Sequence, residues 1–482
     1  MATRDIGSRV FTLDDQLLFA QFSGDVNPMH VDPDVARRLM TGRPVVHGMH
    51  LLLTALEYWQ SDPLLALSAV SCQFDSPVSV GDPVVVTQHE LDDHHHEISV
   101  LVDGLVCARI GLTLAILASD ARQGSGTQSG VDSKPVASMP LTSPLDIAPE
   151  DHVGKTYAIG HRAVPEEWLP KARAHLGQAG FHGVICCSYF VGMVCPGMHS
   201  VFSSLAVAVS AEGTARDTTV FSVQKYDARF GLFQIAATGG IAGSLRAFVR
   251  ARPKRQSGLC DLVRHVAQDE FAGTRALIVG GSRGLGEVTA KLIAAGGGRV
   301  DISYASGEQD ARRIADEINA FGASACQAWR LDLMNDSMAS IDIPWSDLDA
   351  VYFFATPKIF RRKSELFEKA LFQQFFDFYV DRFYGLCSFL ERAVTSGIVR
   401  VYLPSTVAID ERPKGLAEYA MAKAAAELLS QDINRSFKHV VVTTTRLPRL
   451  DTDQTSTIIK VPSESNVRTL LPIVREMQTS SD

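Results

Sequence analysis

The sequence predicts an α+β N-terminal half, in which two sheet-around-helix modules stand in tandem, followed by an α/β C-terminal half with a doubly wound parallel sheet. Three observations predict it. An apolar helical run at 49–59 precedes four runs rich in Val, Ile and alternating apolar residues, at 68–74, 83–89, 97–102 and 105–118, and that alternation has the period of strands. Val46-His47-Gly48-Met49-His50-Leu51-Leu52 is echoed by Cys195-Pro196-Gly197-Met198-His199-Ser200-Val201, each leading into an apolar run, as an old duplication would leave. From Ala276 onward the pattern becomes strand alternating with helix, the order of a parallel sheet covered by helices.

Taken in order, the first module occupies 1–120. A helical stretch at 32–39 precedes the central helix, and the four strand runs wrap it. Asp92-Asp93-His94-His95-His96-Glu97 lies between two of those runs, so the histidines read as a solvated hairpin tip, whose successive side chains do not converge on a metal without other ligands. The pattern lapses over 121–142, where Gly124-Ser125-Gly126-Thr127-Gln128-Ser129-Gly130 forms a flexible linker. The second module occupies 143–256, with strands at 218–224, 231–238 and 241–249 and a turn at Tyr226-Asp227-Ala228-Arg229. His199 reads there as the start of a helix; the other reading joins it to Asp227 in an independent second active site. A further linker covers 257–270 and the third domain 271–482.

Whole-chain properties narrow the function classes. At 482 residues the chain exceeds one ordinary core, and about 150 residues per domain suggests three domains. Hydrophobic residues make up 46% and charged residues 21%, with mean hydropathy +0.06, enough apolar material for several cores. Met1-Ala2-Thr3-Arg4-Asp5 carries a charge pair and no apolar run, which argues against a secretory signal, and no 18-residue apolar run suggests a membrane span. Eight cysteines without a CxxC pairing read as reduced, buried small hydrophobes of a cytoplasmic protein. A net charge of −8 with scattered Lys and Arg excludes a duplex-binding surface. A homodimer is compatible with all of this.

The stretch Phe22-Ser23-Gly24-Asp25-Val26-Asn27-Pro28-Met29-His30 sets a carboxylate and an imidazole five residues apart. Gly24 permits an unusual turn, Asn27 tolerates one, and Pro28 fixes the approach to His30, so two titratable groups can converge. An Asp of pKa about 3.9 and a His of about 6.5 form an acid/base pair near neutrality. The plainer alternative makes Asp25 and Asn27 turn formers and His30 a helix start. Gly48 opens the apolar helix, where unpaired backbone N–H groups and the helix dipole favour an oxyanion.

Gly-Asp-x-Asn-Pro-hydrophobic-His resembles the signature of the MaoC-like (R)-specific enoyl-thioester hydratases and dehydratases. Val46-His47-Gly48-Met49 and Cys72-Gln73-Phe74-Asp75-Ser76-Pro77-Val78-Ser79-Val80-Gly81-Asp82 are similar to further segments of that family. The resemblance implies a double hot-dog fold in which one half keeps the catalytic residues. It also implies that Asp25 and His30, with Asn27 in their loop, handle the water and proton exchanged across an α,β-unsaturated acyl thioester, and that the Gly48 amide meets the oxyanion. His47 is left as a supporting group.

Ala276-Leu277-Ile278-Val279-Gly280-Gly281-Ser282-Arg283-Gly284-Leu285-Gly286 is a buried-strand pattern entering a glycine-rich turn and then a helix, the context in which glycines let a backbone approach a pyrophosphate. Downstream, Tyr419-Ala420-Met421-Ala422-Lys423 places a phenol and an ammonium four apart on one helical face, so Lys423 can lower the phenol's pKa and Tyr419 can protonate a reduced carbonyl oxygen. Val401-Tyr402-Leu403-Pro404-Ser405-Thr406 is a strand ending in two hydroxyls.

Together these segments resemble the short-chain dehydrogenase/reductases, whose fold is Rossmann-like. The resemblance implies Tyr419 and Lys423 as catalytic and nucleotide-binding residues, with Gly280, Ser282, Arg283, Gly284, Leu285 and Gly286 in the phosphate turn and Asp332 against the adenine. Ser405 is taken as the third catalytic residue, with Thr406, at the family's commoner spacing from Tyr419, as the alternative. Tyr304-Ala305-Ser306 ends its strand without an acidic residue and Arg283 can meet a 2′-phosphate, so NADPH is expected over NADH. Two segments depart from the family: Phe353-Phe354-Ala355-Thr356 stands where Asn-Asn-Ala-Gly is usual, and Tyr379-Val380-Asp381-Arg382 lacks the Asn of the proton relay.

The combined expectation is a bifunctional enzyme. It reduces a 3-oxoacyl thioester, on CoA or acyl carrier protein, to the (R)-3-hydroxyacyl thioester and dehydrates that to the trans-2-enoyl thioester, as in fatty acid or polyketide-type biosynthesis. One rival runs both steps backwards with NAD in acyl degradation. The other pairs a working hydratase with a non-catalytic nucleotide-binding domain.

Overall fold

The computed structural model describes residues 3–39, 41–60, 64–116, 136–137, 140–209, 217–322, 326–360, 365–455 and 461–478. The segment Gly124 to Gly130, expected as a linker, lies outside them. The chain divides into two compact units, Met1–Arg252 and a second that begins at Pro253.

The first unit opens with β1 (Arg4–Val10), α1 (Leu13–Ser23), the one-turn helices α2 (Pro28–Val31) and α3 (Pro33–Ala36), and α4 (Gly48–Tyr58). It continues with β2 (Leu65–Phe74), β3 (Pro83–Asp92), β4 (His95–Val102) and β5 (Leu105–Ile116). After the short β6 (Val136–Ala137) come β7 (Thr156–Gly160), α5 (Pro170–Tyr189), β8 (Ser200–Val209), β9 (Thr218–Asp227), β10 (Leu232–Thr238) and β11 (Ile241–Val249).

The strands make one 11-stranded sheet in the order β1-β3-β4-β5-β2-β8-β11-β10-β9-β7-β6. Its two sides repeat one pattern: a first strand, a central helix, then four strands of which the one after the helix lies at the seam. There β2 and β8 pair antiparallel from Ala69 opposite Ala208 to Gln73 opposite Ser204. This is the double hot-dog.

Alternation supplies the wrap. Val84, Val86 and Gln88 on β3 and His96, Ile98 and Val100 on β4 turn inward. Met49 through Leu56 of α4 are all buried, as befits a helix with sheet around it.

The duplication is real in topology, but the echo that suggested it is not its mark. Gly48 starts α4, whereas Gly197-Met198-His199 is a single turn that follows the second central helix and leads into β8. His199 therefore closes a turn ahead of a strand and does not start a helix. The true counterpart of α4 is α5, whose second half, from Gly180 to Tyr189, is buried on every side and so shows no polar face. Gly180 and Gly183 within α5 cost about 1 kcal/mol each in helix propensity, but burial of Phe181, Val184 and Ile185 returns about 1.5–3 kcal/mol each. A Cβ on either glycine would press on Val209 or Ile241.

Other expectations shift as well. Only Pro33–Ala36 of the stretch at 32–39 is helical, because Asp32 caps that turn and nothing sustains a second. The hairpin at His94 is tighter than a solvated tip throughout: His94 and His95 are exposed, but His96 is buried and accepts a hydrogen bond from Trp59 Nε1 at 3.2 Å.

The second unit begins with α6 (Leu259–Leu262), then β12 (Arg275–Val279), α7 (Gly284–Ala295), β13 (Arg299–Tyr304), α8 (Glu308–Phe321), β14 (Ala328–Arg330) and β15 (Ala350–Phe353). It continues with α9 (Lys369–Phe376), α10 (Phe383–Ala393), β16 (Val399–Thr406), α11 (Ala408–Glu411), α12 (Ala417–Ser436), β17 (Val440–Leu447) and α13 (Asn466–Glu476). The sheet is parallel in the order β14-β13-β12-β15-β16-β17, the doubly wound arrangement of Rossmann-like folds, whose ligand crevice opens where the order reverses, here between β12 and β15. Ala276 through Val279 are buried on both faces, as a central parallel strand must be. Within the stretch expected as linker at 257–270, Leu259 and Leu262 are fully buried in this unit's core.

Candidate active sites

In the first unit, α1 is fixed at both ends by local chemistry. Thr12 and Asp15 form a reciprocal capping box, and Gly24 ends the helix with φ +78°. The chain then turns sharply, and Asn27 and Pro28 open α2. Asp25 and His30, both buried, face one another across this turn.

The second half of the sheet holds them there. Ser188 at the end of α5 donates to Asp25 Oδ2 at 2.7 Å, and the Asn27 backbone N–H donates to Oδ1 at 3.2 Å. Asn27 Nδ2 donates to the carbonyls of Gly192 and Gly197 at 2.9 and 3.1 Å. A Cβ at Gly192 would collide with both Asp25 carboxylate oxygens. Asn27 thus fastens the loop rather than facing the reacting atoms.

The protonation states follow from this enclosure. Burial pushes the Asp25 carboxyl up to about 7, against the lowering pull of the Ser188 and Asn27 hydrogen bonds. Burial pushes the His30 imidazole down to about 4, opposed by its bond to the Val45 carbonyl and reinforced by the charge of Arg250. His30 Nδ1 lies 2.6 Å from the Val45 carbonyl. A carbonyl only accepts, so Nδ1 carries the hydrogen and Nε2 presents a lone pair.

His47 stacks on His30 with ring centroids 3.9 Å apart. Its Nε2 donates to the Asp25 carbonyl at 3.1 Å, and its Nδ1 lies 2.9 Å from the Gln16 side chain. Ligand atoms of Asp25, His30 and His47 fall within 4.8 Å of one another. His47 has both nitrogens engaged and Asp25 is already bonded, so this geometry handles protons better than it would hold a metal. Beside it Gly48 begins α4 with no side chain capping its N–H groups. A Cβ there would meet the Phe74 ring at 3.0 Å.

In the second unit the turn after β12 is shaped by close approach. Gly280 has φ +84°, and a Cβ on it would strike the Ala355 backbone. One on Gly286 would strike the Gly280 carbonyl, so α7 starts tight against the strand end. Ser282 is buried, Leu285 packs against the core, and Gly284 opens α7 after Arg283, whose Nη1 lies 3.8 Å from Asp453. Asp332 spends its carboxylate on its own turn, accepting from Met334 N at 3.0 Å and Asn335 Nδ2 at 2.9 Å.

The reductase-type residues are assembled differently from expectation. Thr406, not Ser405, is the hydroxyl that acts on the Tyr419 phenol, favouring its charged form against the effect of burial. Ser405 donates to Glu427, which Arg446 grips at 2.9 and 2.7 Å. Alternation along β16 is the reason: neighbouring side chains point to opposite faces.

The expected lowering of the phenol by Lys423 is not what these surroundings produce. Burial pushes Tyr419 up to about 12, and burial pushes Lys423 down to about 7 against the pull of Glu427. Lys423 Nζ donates to the Pro404 carbonyl at 2.8 Å and sits 3.8 Å over the Tyr379 ring, against 6.0 Å for the Tyr419 ring. Tyr379, fully buried, bonds through its hydroxyl to Thr356.

Residues 3–105 match the family model of the MaoC like domain, and residues 274–462 match that of the short chain dehydrogenase. The chain carries a MaoC-like domain and a short-chain dehydrogenase domain. No curated protein matches it. Among solved structures, a short chain dehydrogenase from Burkholderia cenocepacia in complex with NADP is 23% identical, over 43% of this chain and 91% of that one, with a TM-score of 0.37. A short-chain dehydrogenase/reductase from Serratia marcescens is 18% identical, over 43% and 91%, with a TM-score of 0.37. FolM alternative dihydrofolate reductase 1 from Brucella canis, complexed with NADP, is 16% identical, over 36% and 72%, with a TM-score of 0.32.

The MaoC-like match ends before the residues that support its own site. Ser188 and Gly192 lie in the second half of the sheet, and Ser188 is 163 positions from Asp25. No local signal marks them: Ser188 reads as one polar residue in an apolar run. Gln16 could have been suspected from the capping box that identifies α1. His199 pairs with Asp146 at 3.6 Å, while Asp227 faces Arg229, so the two do not form a second acid/base site. In the dehydrogenase domain, Tyr379 and Thr356 occupy the departures noted in the sequence, and only the fold brings them together. Among the described residues no helix is long and apolar enough to cross a membrane.

Proposed function

We propose that the MaoC-like domain interconverts (R)-3-hydroxyacyl and trans-2-enoyl thioesters, and that the dehydrogenase domain reduces the 3-oxoacyl thioester with NADPH. One observation carries the reading: a carboxyl raised to about 7 and an imidazole lowered to about 4 converge beside the uncapped N–H groups of α4. Two groups with pKa values pushed apart can serve as acid and base at one pH. In dehydration, neutral His30 takes the C2 proton through Nε2, and the Gly48 amide steadies the enolate oxygen. Asp25, protonated at and below neutrality, protonates the departing hydroxyl; hydration reverses these roles.

In the dehydrogenase domain the phosphate turn can cradle a dinucleotide at the start of α7, with NADPH favoured by Arg283 and by the strand end at Tyr304, which lacks an acid. The dinucleotide supplies a hydride. Tyr419 is placed to give a proton to the carbonyl oxygen, with Thr406 orienting that hydroxyl. A second reading, nucleotide binding without turnover, is favoured by the engagement of Lys423 with Pro404 and Tyr379.

Incubation with paired 3-oxoacyl-CoA and 3-oxoacyl carrier-protein substrates, following NADPH loss and product mass, tests both domains. The bifunctional reading expects NADPH consumption and an enoyl product. Hydration of an enoyl thioester with no NADPH loss on either substrate would leave the second reading.

A further inference from the structure

Arg250 stands directly after β11 and close to the catalytic loop. Its backbone N–H donates to the His199 carbonyl at 2.7 Å, and its Nη2 donates to the Met198 carbonyl at 2.8 Å. Asn27 bonds the Gly197 carbonyl of the same turn, so this guanidinium and the Asp25–His30 loop grip one turn between them. Arg250 Nε and Nη1 are sealed from solvent and meet no acceptor among the described residues; His199 Nδ1 is in the same condition.

No carboxylate among the described residues pairs with Arg250. Asp146, the acid of this corner, is bound by Arg252 at 2.7 Å and faces His199 at 3.6 Å. Burial alone pushes the Arg250 guanidinium down to about 10, and its charge reaches His30. A half-buried cation with two sealed, unmet N–H groups and no paired carboxylate among the described residues is costly. A fold keeps such a group where a ligand brings the acceptor.

We propose that Arg250 anchors an anionic oxygen of the thioester substrate beside the carbons on which His30 acts. This rests on the hydratase reading and adds a substrate class to it. The anion can come from a carboxylate on the acyl chain or from a phosphate of the carrier arm, and the turn that Arg250 shares with the Asp25–His30 loop favours the acyl carboxylate.

Hydration rates of the full chain, Arg250→Lys and Arg250→Gln on three thioesters test it: trans-glutaconyl-CoA, crotonyl-CoA and crotonyl-N-acetylcysteamine, which has no phosphate. With an acyl carboxylate as ligand, Arg250→Gln loses about 30-fold or more kcat/KM on glutaconyl-CoA relative to crotonyl-CoA, mostly through KM, and Arg250→Lys recovers part of it. With a phosphate as ligand, the loss instead separates crotonyl-CoA from crotonyl-N-acetylcysteamine. Equal losses on all three, or none, overturn the proposal.

A binding measurement on the unaltered protein guards against misfolded variants. Glutaryl-N-acetylcysteamine should raise its thermal midpoint more than butyryl-N-acetylcysteamine does at equal concentration. If neither that pair nor butyryl-CoA against the butyryl N-acetylcysteamine ester differs, the anchor is refuted. Absence of turnover on all three enoyl thioesters would refute the hydratase reading itself, while the binding pairs still decide the anchor.

Discussion

At both sites enclosure raises the acid and lowers the base, but it leaves the two pairs in different working ranges. Around Asp25 and His30, enclosure brings the carboxyl to about 7 and the imidazole to about 4, which leaves an acid and a base ready at the same pH. Around Tyr419 and Lys423, enclosure carries the phenol to about 12 and the ammonium to about 7, and Lys423 is occupied by Pro404 and Tyr379. The difference lies in what shares the enclosure. Asp25 is met by two donors, Ser188 and Asn27, that favour its charged form, whereas Lys423 has one carbonyl acceptor, that of Pro404, and the Tyr379 ring.

The sharpest break of this contrast is Asp25→Ala or His30→Ala. Either should cut hydration of crotonyl-CoA by about 10³-fold or more, since a positioned acid or base contributes about 10²–10⁴, while NADPH oxidation with a 3-oxoacyl thioester continues. Turnover surviving in both variants would remove the acid/base assignment.

Next in size, Tyr419→Phe should lower NADPH-dependent reduction by about 10²-fold or more and leave crotonyl-CoA hydration untouched. An unchanged reduction rate would mean the phenol delivers no proton.

A smaller effect separates the two hydroxyls of β16. Thr406→Val should lower reductase kcat by about tenfold, the worth of one well-placed hydrogen bond of about 1.4 kcal/mol. Ser405→Ala should instead reduce thermal stability by about 1 kcal/mol, because it loosens Glu427 and Arg446. The reverse pattern would restore Ser405 to the site.

The finest test is a shift rather than a loss. The Ser188 hydrogen bond favours the charged carboxylate, so Ser188→Ala should raise the Asp25 pKa above its present value of about 7. Dehydration needs protonated Asp25, so the alkaline limb of its pH–rate profile should move to higher pH. A limb that stays put, or moves down, would show that Ser188 does not act on Asp25.

Most of the architecture was legible because it rests on local pattern. Alternation in β3 and β4, the apolar run of α4 and the glycine turn after β12 each announce an element by period or by a backbone demand only glycine meets. What escaped was whatever depends on surroundings. The second half of α5 has no polar face, so its sequence does not look amphipathic. The Gly-Met-His echo has the same letters in two places, yet Gly48 opens a helix and Gly197 follows one.

The sequence by itself determined the pairs of titratable groups, Asp25 with His30 and Tyr419 with Lys423, in spacings that a turn or a helix brings together. Only the tertiary structure decided their working states and their partners. Ser188 and Gly192 reach the first site from the second half of the unit, and strand alternation put Thr406 rather than Ser405 on the Tyr419 side. The physical reason is that a pKa is set by burial and by the few dipoles and charges within hydrogen-bonding or Coulombic reach. Those neighbours are contributed by chain segments far away in sequence.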